Sequence, residues 1–405
     1  MSVRRGRCLL VPNVSVELGR FTGFILDDPE QGLLDSNVLD GDVEYSAIPQ
    51  GVVSVSTSRG RNRDLERTNA GQVSVSLRNQ DRFFDPRGGG VFAEFVVPRN
   101  PVRVKADGTA LFTGFVDDWA FTYSPGGDSV ASFSGSDAFS IFARNENAGG
   151  SAVSELTGAR LNRVLDQVTV GWPALERDIQ TGDSTLAAGD LTDNVLNYMT
   201  NVIEASEQGI VFMSKDGKVA FRQRLTTPPV SPVTFADDGS GVPYEDVVIQ
   251  YGTDLMVNQA VVTFPGGTAV SEDLTSQVRY GITERTIDTE LSSLAQAEGI
   301  ADFLISRYAY PEYRVEAVTV NLRALSDAQV ADVLDLELGD QARLVFTPNA
   351  VGSAISVANR VIGISHDVGI DTHRVTFNFE QLPFTFFILD DAVFGILEGE
   401  GILGF

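Results

Sequence analysis

Apolar and polar residues alternate along much of the first third of the chain, as they do in half-buried β-strands. The clearest alternating runs are residues 73–77, 102–105 and 130–136. Asp107-Gly108 follows the second run, and this dipeptide predicts the tight turn of a β-hairpin. No run with helical spacing stands out here, so residues 1–145 are predicted to form a small antiparallel β-barrel.

The spacing of apolar residues changes to a helical period in the middle of the chain. The two helices predicted there are residues 155–168 and 191–206. Asp190 immediately precedes the second helix and is its predicted N-cap. A second turn dipeptide, Asp216-Gly217, separates two apolar runs and predicts another hairpin. Residues 146–244 are therefore predicted to form an α+β insert.

Strand patterns return in residues 245–383, where one long helix interrupts them. The strands predicted here are 247–251, 259–264, 315–322, 343–346 and 374–379. Helical spacing covers residues 291–308, and Pro311 stops that helix. Ser326 is the predicted N-cap of a second, shorter helix. The predicted fold class is α+β, mostly β: two small antiparallel β-barrel domains flank the insert, and an extended C-terminal tail, residues 384–405, follows.

One apolar phrase occurs near both ends of the chain. Residues 21–34 and 384–397 are identical at 9 of 14 positions, and both copies contain Phe-Ile-Leu-Asp-Asp. Such a phrase is costly to leave in water, and an enzyme core has no reason to repeat it, which indicates an interface. The predicted interface residues are Phe24, Ile25, Leu26, Asp27, Asp28, Phe387, Ile388, Leu389, Asp390, Asp391, Phe394, Ile402, Leu403 and Phe405. We expect them to contact a neighbouring chain or another protein of an assembly.

The chain is acidic, because 55 Asp and Glu residues against 30 Lys and Arg give a net charge of −25. This balance argues against electrostatic binding of nucleic acid, which needs clustered cations. An acidic wall would instead repel phosphates in a channel, while acidity that only keeps the chain soluble is an equally good interpretation. Cys8 is the single cysteine, so neither an internal disulfide nor a thiolate metal site is expected. No stretch approaches the length of a membrane span, and folding in a cytoplasm is predicted.

A few motifs could carry chemistry, and each has a commoner structural explanation. The Gly-Asp-Ser motif at residues 182–184 occurs in one lipase and esterase family, but the histidine spacing of that family is absent and the motif is also an ordinary turn. His366 and His373 with Asp371 could hold a metal, although a histidine bonded to backbone is commoner. Paired acids occur at Asp27-Asp28, Asp117-Asp118, Asp237-Asp238 and Asp390-Asp391. Solvated turns and inter-chain salt bridges explain them better than a glycosidase site, so we expect no enzyme, no cofactor and no metal.

Arginines are concentrated in one part of the first block. They are Arg61, Arg63, Arg67, Arg78, Arg82 and Arg87. Acidic residues alternate with them, and this mixture suits the rim of a protein–protein interface better than a track for phosphates.

Several segments resemble the minor tail proteins of long-tailed phages (siphoviruses) that infect actinobacteria. In the first block these segments are 64–71, 81–86 and 111–117. The end of the chain, from Phe387 to Phe405, resembles the C-terminus of the same proteins. The segments similar to the second half of tail-hub proteins are 280–281, 291–308, 314–315, 325–329 and 338–340.

This resemblance implies a structural virion protein of the phage tail tip, a trimeric baseplate hub. Three chains with two barrels each would form a pseudo-sixfold ring that adapts the six-fold tail tube or distal tail protein to a three-fold tip. The ring would be part of the DNA ejection channel, through which genomic DNA passes without specific binding. The implied partners are two further copies of the chain, the distal tail protein, the tape-measure protein and other minor tail or tip proteins. Assembly is expected in the host cytoplasm.

Two alternatives stay open on the sequence alone. One is a hexameric distal tail protein, which needs only one barrel per chain. The other is a tail-associated cell-wall hydrolase or glycan-binding protein, in which Ser184 or His373 would act on peptidoglycan.

Overall fold

The computed structural model describes most of the chain, and β-strands dominate it. The described residues are 11–21, 43–49, 51–87, 89–90, 92–126, 129–224, 233–382, 385–386 and 401–402. None of the helices in these ranges has the length and apolar character needed to cross a membrane.

The N-terminal block contains seven strands and one short α-helix within the described ranges, besides two 3-10 turns at Gln80–Arg82 and Ala93–Phe95. The strands and the helix are β1 (Val14–Phe21), β2 (Val43–Ala47), β3 (Val52–Gly60), β4 (Asn69–Arg78), β5 (Pro101–Ala106), β6 (Thr109–Tyr123), β7 (Ser129–Ser136) and α1 (Phe139–Phe142). The hairpin predicted at Asp107-Gly108 is confirmed, because β5 and β6 pair antiparallel up to Ala106 and Thr109. The short helix α1 was not expected from the apolar spacing.

The insert supplies helices and short strands. Its elements are β8 (Ser151–Ala152), β9 (Glu155–Leu156), α2 (Thr157–Leu165), β10 (Arg177–Ile179), β11 (Thr185–Leu186), β12 (Gly189–Asp190), α3 (Val195–Asn197), a π-helix (Tyr198–Glu204), α4 (Ala205–Glu207), β13 (Ile210–Met213) and β14 (Val219–Arg222). The α3, π-helical and α4 segments follow one another directly, so the second predicted helix is confirmed over residues 195–207. The predicted Asp216-Gly217 hairpin is confirmed as the β13–β14 pair.

The predicted N-cap of that helix was wrong. Asp190 lies in β12, where its side chain accepts a hydrogen bond from the hydroxyl of Ser151 at 2.8 Å. Asn194 is the N-cap instead, and its side chain accepts from the amide of Asn197 at 2.9 Å. Because Asp190 is held in the β12–β8 pair, it does not cap the helix, and the N-cap lies four residues later.

The C-terminal block contains the remaining elements. They are β15 (Val233–Ala236), β16 (Asp246–Tyr251), β17 (Gln259–Phe264), β18 (Gly267–Glu272), α5 (Leu274–Tyr280), β19 (Glu284–Asp288), α6 (Leu294–Tyr308), β20 (Tyr313–Asn321), α7 (Asp327–Asp335), β21 (Gln341–Phe346), β22 (Ile355–Val368), β23 (His373–Gln381), β24 (Thr385–Phe386) and β25 (Gly401–Ile402). The long helix is confirmed as α6. Ser326 is the N-cap of α7, as predicted, and the structure adds a reciprocal capping box with Gln329.

One sheet of 13 strands joins the two strand-rich blocks. Its order is β16-β20-β23-β22-β3-β4-β7-β6-β5-β1-β2, and β22 also carries β21, which pairs with β15. Every pairing in it is antiparallel except β15–β21. Within the described residues the order is open at both ends and closes no barrel, so the prediction of two separate barrels is replaced by one large, mostly antiparallel sheet.

The length of β22 explains this difference. Its first part, residues 355–360, pairs with β21 of the same block. Its last part, residues 363–368, pairs with β3 of the N-terminal block. A strand of 14 residues is long enough to serve both neighbours on one edge while β23 occupies the other. The alternation of residues in a strand does not specify its partner, so the sequence could not indicate this seam between β3 and β22.

Two glycines allow β3 and β22 to approach closely at the seam. Gly60 and Gly363 are paired residues of β3 and β22. A Cβ on Gly60 would lie 2.2 Å from the carbonyl oxygen of Ile362, and the φ of Gly60 is +87°. A Cβ on Gly363 would lie 2.3 Å from the carbonyl oxygen of Arg61. Side chains at either position would push the two strands apart.

Three hydrophobic cores form around this sheet. The largest lies along the sheet, a second lies in the insert, and a third lies between α6 and the small sheet β18-β17-β19. Strand β13 connects the first two, because Ile210 and Phe212 join the main core while Val211 and Met213 join the core of the insert. Both faces of β13 are therefore covered, which fixes the insert against the sheet. The domain boundaries proposed from the sequence stay predictions.

Candidate functional site

The repeated phrase, from which interface residues were predicted, lies outside the described residues except for a few backbone positions. Ile402 pairs in parallel with Phe386 through β25 and β24. The contacts of the phrase therefore stay a prediction. The described residues instead assemble a buried cluster where the N-terminal block, the insert and the C-terminal block meet. This ionic junction consists of Arg61, Asp64, Glu204, Arg307, Tyr308, Arg360 and Glu380, each at most 7% exposed.

Arg61 is the centre of the ionic junction. It directly follows β3, and its guanidinium donates to Glu204 of the π-helix at 3.4 Å and to Glu380 of β23 at 3.1 Å. A third bond reaches the carbonyl oxygen of Glu66 at 3.2 Å. One side chain thus contacts all three parts of the chain. Because these charges are out of water, loss of one partner would leave another uncompensated.

Glu380 is the carboxylate of the junction that stays ionised. Its Oε2 accepts two hydrogen bonds from Arg360, at 3.2 Å and 2.6 Å, besides the one from Arg61. Burial opposes the charge, but Arg360, Arg61 and Arg307 together hold the pKa of Glu380 below its usual value. Glu380 is therefore ionised at neutral pH.

The pKa of Glu204 is shifted in the opposite direction from that of Glu380. Burial raises the pKa of Glu204 to about 7, although Arg61 and hydrogen bonds oppose the shift. The carboxylate accepts from the amide of Val211 and the hydroxyl of Thr68, each at 3.2 Å. The charge of Glu204 therefore depends on pH near neutrality, in contrast to that of Glu380.

Helix α6 adds a phenol to the junction. The hydroxyl of Tyr308 donates to Oδ2 of Asp64 at 2.7 Å, and the amide of Leu65 donates to Oδ1 at 2.8 Å. Burial, followed by the negative charge of Glu380, raises the pKa of Asp64. Arg307 donates to the same hydroxyl at 3.3 Å. The N-terminal block is therefore attached to α6 through Asp64.

A pocket of about 300 Å³ opens beside the junction. Its lining includes three arginines, Arg61, Arg67 and Arg285, and three apolar side chains, Leu65, Ile287 and Phe303. Arg285 donates to the carbonyl oxygen of Leu65 at 2.7 Å, its one hydrogen bond among the described residues. Burial lowers the pKa of Arg285, and the positive charges of Arg61 and Arg67 act in the same direction. The lining also includes five carboxyl side chains, those of Asp64, Glu66, Glu204, Asp288 and Glu380, so the charge of the pocket is mixed.

Two further buried arginines connect the same parts of the chain. Arg59 of β3 donates to Glu337 at 2.6 Å and to the carbonyl oxygen of Met213 at 3.2 Å. Arg160 of α2 is fully buried and donates to Glu290 at 2.9 Å. The insert is therefore bonded to the C-terminal block through charged groups as well as through its core.

The Gly-Asp-Ser motif at residues 182–184, which was the candidate catalytic motif, forms a turn in the structure. The amides of Asp183 and Ser184 donate to the carboxylate of Glu207 at 3.0 Å and 2.9 Å.

His366 and His373 hydrogen-bond each other in the main sheet, with 3.1 Å between their ring nitrogens. No group of three His, Cys, Asp or Glu side chains in the described ranges is arranged to hold a metal ion. The geometry offers Ser184 no histidine base.

The histidine pair is expected to make the protein less stable in acid. Burial lowers the pKa of His373 to about 4, and burial followed by the charge of His373 lowers the pKa of His366 well below 6.5. The unfolded chain therefore binds more protons between pH 6.5 and 4, and stability is lost as pH falls through that window. We expect the free energy of unfolding to fall by up to about 1.4 kcal/mol per pH unit for each histidine.

The test compares urea unfolding of the wild type with that of the double variant His366→Phe and His373→Leu, between pH 7.5 and 4. The variant should have the shallower profile, because other titrating groups are common to both proteins. Parallel profiles would contradict the assignment.

Arg61 differs from the interpretation of the arginine-rich segment as an interface rim, which stays a prediction for the exposed Arg67, Arg78, Arg82 and Arg87. The structure buries Arg61 inside the chain, where intramolecular carboxylates occupy it. Arg59 and Arg61 continue the buried phase of β3 after Val55 and Thr57. Charged residues on the buried phase of an alternating strand were thus the signal for an internal ionic site, and sequence reasoning missed it.

No protein-family model matches the sequence, and no curated protein matches it either. Solved structures do match. A tail protein from Neisseria meningitidis MC58 has a TM-score of 0.58 and 13% identity over 90% of this chain and 95% of that chain. The 43 kDa tail protein of prophage MuSo2 from Shewanella oneidensis has a TM-score of 0.58 and 11% identity over 92% and 97%.

This chain has the fold of those tail proteins. A third match is the E. coli protein c3393, a component of the type VI secretion system described as structurally similar to the T4 bacteriophage tail proteins gp27 and gp5. Its TM-score is 0.50, with 7% identity over 82% of this chain and 74% of that chain. The likeness covers nearly the whole length of both tail proteins, so the shared fold includes the sheet, the insert and the helical part.

Proposed function

We propose that this chain is a structural component of a phage tail, namely the trimeric hub of the tail tip. The observation that carries the proposal is the shared fold with two tail proteins over at least 90% of this chain and 95% of each of theirs.

The internal organisation supports a scaffold that transmits load. The main sheet continues from one block to the other, and the buried arginines join the insert to both. Buried ion pairs of this kind favour one relative placement of the parts, because any other leaves charges unpaired in a low-dielectric interior. A tail component that stays assembled during DNA passage needs such rigidity.

The sheet also suits a change from six-fold to three-fold symmetry. The seam between β3 and β22 divides its 13 strands into seven from the N-terminal block and six from the C-terminal block. Three chains with two comparable halves would present six positions to a six-fold tail tube or distal tail protein above them. The net charge of −25 would keep passing DNA from adhering to the channel wall.

In this proposal the protein is not an enzyme. Its partners are two more copies of the chain, the distal tail protein, the tape-measure protein and neighbouring tip proteins, and it resides in the tail tip of a siphovirus virion after assembly in the host cytoplasm. The hydrolase alternative gains no support from the described residues, since Glu207 occupies the amides of the Gly-Asp-Ser turn and the two histidines occupy each other.

Light scattering on a sizing column, with electron-microscope images of the same peak, tests the proposal. We expect a mass of three times 43.6 kDa, about 131 kDa, and rings with six lobes. A hexamer with six lobes would assign the chain to the distal tail layer instead. A monomer at every concentration and in the presence of a tail-tube partner would contradict the hub. Release of peptidoglycan fragments by the wild type, but not by Ser184→Ala, would contradict the non-enzymatic assignment.

A further inference from the structure

We propose that a cleft between the N-terminal block and the insert binds a neutral saccharide. Its volume is about 480 Å³, larger than that of the pocket beside the ionic junction. We call this site the aromatic cleft, and the side chains that would contact the sugar are Tyr45, Arg103, Phe115, Trp172, Glu176 and Asp216. The assignment does not depend on the hub function, because a single chain supplies all six side chains.

The aromatic cleft lies where two parts of the chain meet. Strands β2, β5 and β6 of the N-terminal block contribute Tyr45, Arg103 and Phe115. In the insert, Trp172 and Glu176 follow α2, and the β13–β14 hairpin contributes the second carboxylate. Small-molecule sites favour such boundaries, in pockets of roughly 300–1,000 Å³ that combine aromatic walls with a few polar groups. The aromatic cleft has both the place and the size of such a site.

The aromatic rings of the cleft offer apolar surface to a ligand. Tyr45, Phe115 and Trp172 are each half-buried. The indole of Trp172 is held in place, because Phe142 contacts it edge-on with 5.3 Å between the ring centroids and its Nε1 donates to the carbonyl oxygen of Glu176 at 2.9 Å. The C–H face of a pyranose ring can stack on a ring fixed in this way, and both surfaces then leave water.

The charged groups of the cleft are available to the hydroxyl groups of a ligand. Among the described residues the carboxylates of Glu176 and Asp216 form no ion pair and accept no hydrogen bond. The guanidinium of Arg103 lies over the ring of Tyr45, 3.7 Å from its centroid. Burial raises the pKa of Tyr45; Arg103 opposes this shift, while the negative charges of Glu176 and Glu17 add to it. The Tyr45 hydroxyl therefore stays protonated at neutral pH and can donate.

The balance of charges favours a neutral ligand with several hydroxyl groups. Two carboxylates against one guanidinium disfavour an anion. Arg103 already covers the ring of Tyr45, which is the position that a ligand cation would take. Hydroxyl groups can donate to the carboxylates and accept from the guanidinium, in charge-assisted hydrogen bonds that are stronger than neutral ones. A sugar supplies these hydroxyl groups and an apolar C–H face in one molecule.

Isothermal titration calorimetry on the full chain tests the proposal. The probes are three neutral trisaccharides, cellotriose, maltotriose and chitotriose, and tetramethylammonium chloride is the cationic counter-probe. We expect at least one of the sugars to bind one site per chain with a Kd below about 5 mM. If none of the three binds that tightly, the proposal is overturned, whether or not the cation binds.

A matched pair of carboxylate variants locates the sugar. Glu176→Ala removes an exposed side chain without a partner among the described residues, so the fold should be kept. We expect it to weaken binding about three- to ten-fold, the effect of losing a charged hydrogen bond that is partly open to water. Glu298→Ala removes an exposed carboxylate from α6 and should leave the affinity unchanged. Equal affinities of Glu176→Ala and the wild type would exclude the aromatic cleft as the site.

Tryptophan fluorescence gives a readout that a purely structural role would not produce. Trp119 and Trp172 are the two tryptophans of the chain, and Trp119 packs against Phe84 and Phe133 without lining the cleft. The sugar should change the emission of the wild type. Trp172→Phe keeps an aromatic ring, so it should still bind in the calorimeter but lose the emission change. An emission change that persists in Trp172→Phe, or is absent from the wild type, would overturn the assignment.

Discussion

Gly60→Ala is expected to destabilise the protein by about 3–5 kcal/mol, or to prevent folding altogether. Two costs combine at this position. The backbone has a φ of +87°, which an alanine adopts only at a cost of about 1 kcal/mol, and the new Cβ would lie 2.2 Å from the carbonyl oxygen of Ile362. Since a backbone atom cannot move aside alone, the seam between β3 and β22 has to open. Urea unfolding followed by far-ultraviolet circular dichroism measures the loss.

Gly108 is a matched control for the backbone cost. Its φ is +88°, yet no atom lies within 4 Å of a Cβ built on it. Gly108→Ala should therefore cost only about 1 kcal/mol. If the two variants lose the same stability, the close approach of the strands at Gly60 contributes nothing and the seam is not the sensitive point described above.

Glu380→Gln is expected to cost about 3–5 kcal/mol, the range for breaking a buried ion pair by removing one partner. The change leaves Arg360 and Arg61 buried without the anion that both of them contact. Glu204→Gln should cost less, about 1–2 kcal/mol at pH 7, because burial already raises the pKa of Glu204 to about 7. The remaining cost arises because the amide NH2 group cannot accept: either the hydrogen bond from Arg61 or those from Val211 and Thr68 are lost. Both glutamates contact Arg61. The difference between the two variants therefore measures how much more it costs to remove an ionised carboxylate than a partly protonated one.

The pH dependence separates the two glutamates further. The pKa of Glu204 is raised from 4.5 to about 7, so its contribution is fully present below pH 4.5 and is lost as pH rises through 7. The difference in unfolding free energy between wild type and Glu204→Gln should shift in favour of the variant by up to about 1.4 kcal/mol per pH unit in that window. For Glu380 the sign is opposite, because its pKa is lowered and its contribution is lost in acid. Equal losses for both glutamine variants at pH 7 would contradict this account of the junction.

The elements of this fold were largely predictable, whereas their arrangement was not. The β5–β6 and β13–β14 hairpins, the helix α6 and the cap at Ser326 depend on residues close in sequence, and all are present. The N-cap at Asp190 failed because a cross-strand contact with Ser151 competes for the side chain. Local pattern carries no information about such a partner.

The candidate site depends on the same kind of non-local information. Arg61 belongs to a segment of mixed charge, and its composition alone indicates solvent exposure. Its burial follows from the pairing of β3 with β22 and from the insert that packs over it. The phase of alternation in β3 was the one available sign, since Arg59 falls on a buried position and Arg61, directly after the strand, continues the same phase.

The seam between β3 and β22 also sets the order in which the protein can be completed during its synthesis. Gly60 and Gly363 are paired, yet about 300 residues separate them in the chain. At a translation rate of about 5–20 residues per second, β3 waits roughly 15–60 seconds on the ribosome before its partner exists. For that time β4 can pair with one edge of β3, while the other edge exposes unpaired backbone groups to neighbouring nascent chains. We therefore expect slower translation between β3 and β22, or crowded polysomes, to lower the yield of soluble protein before any assembly begins.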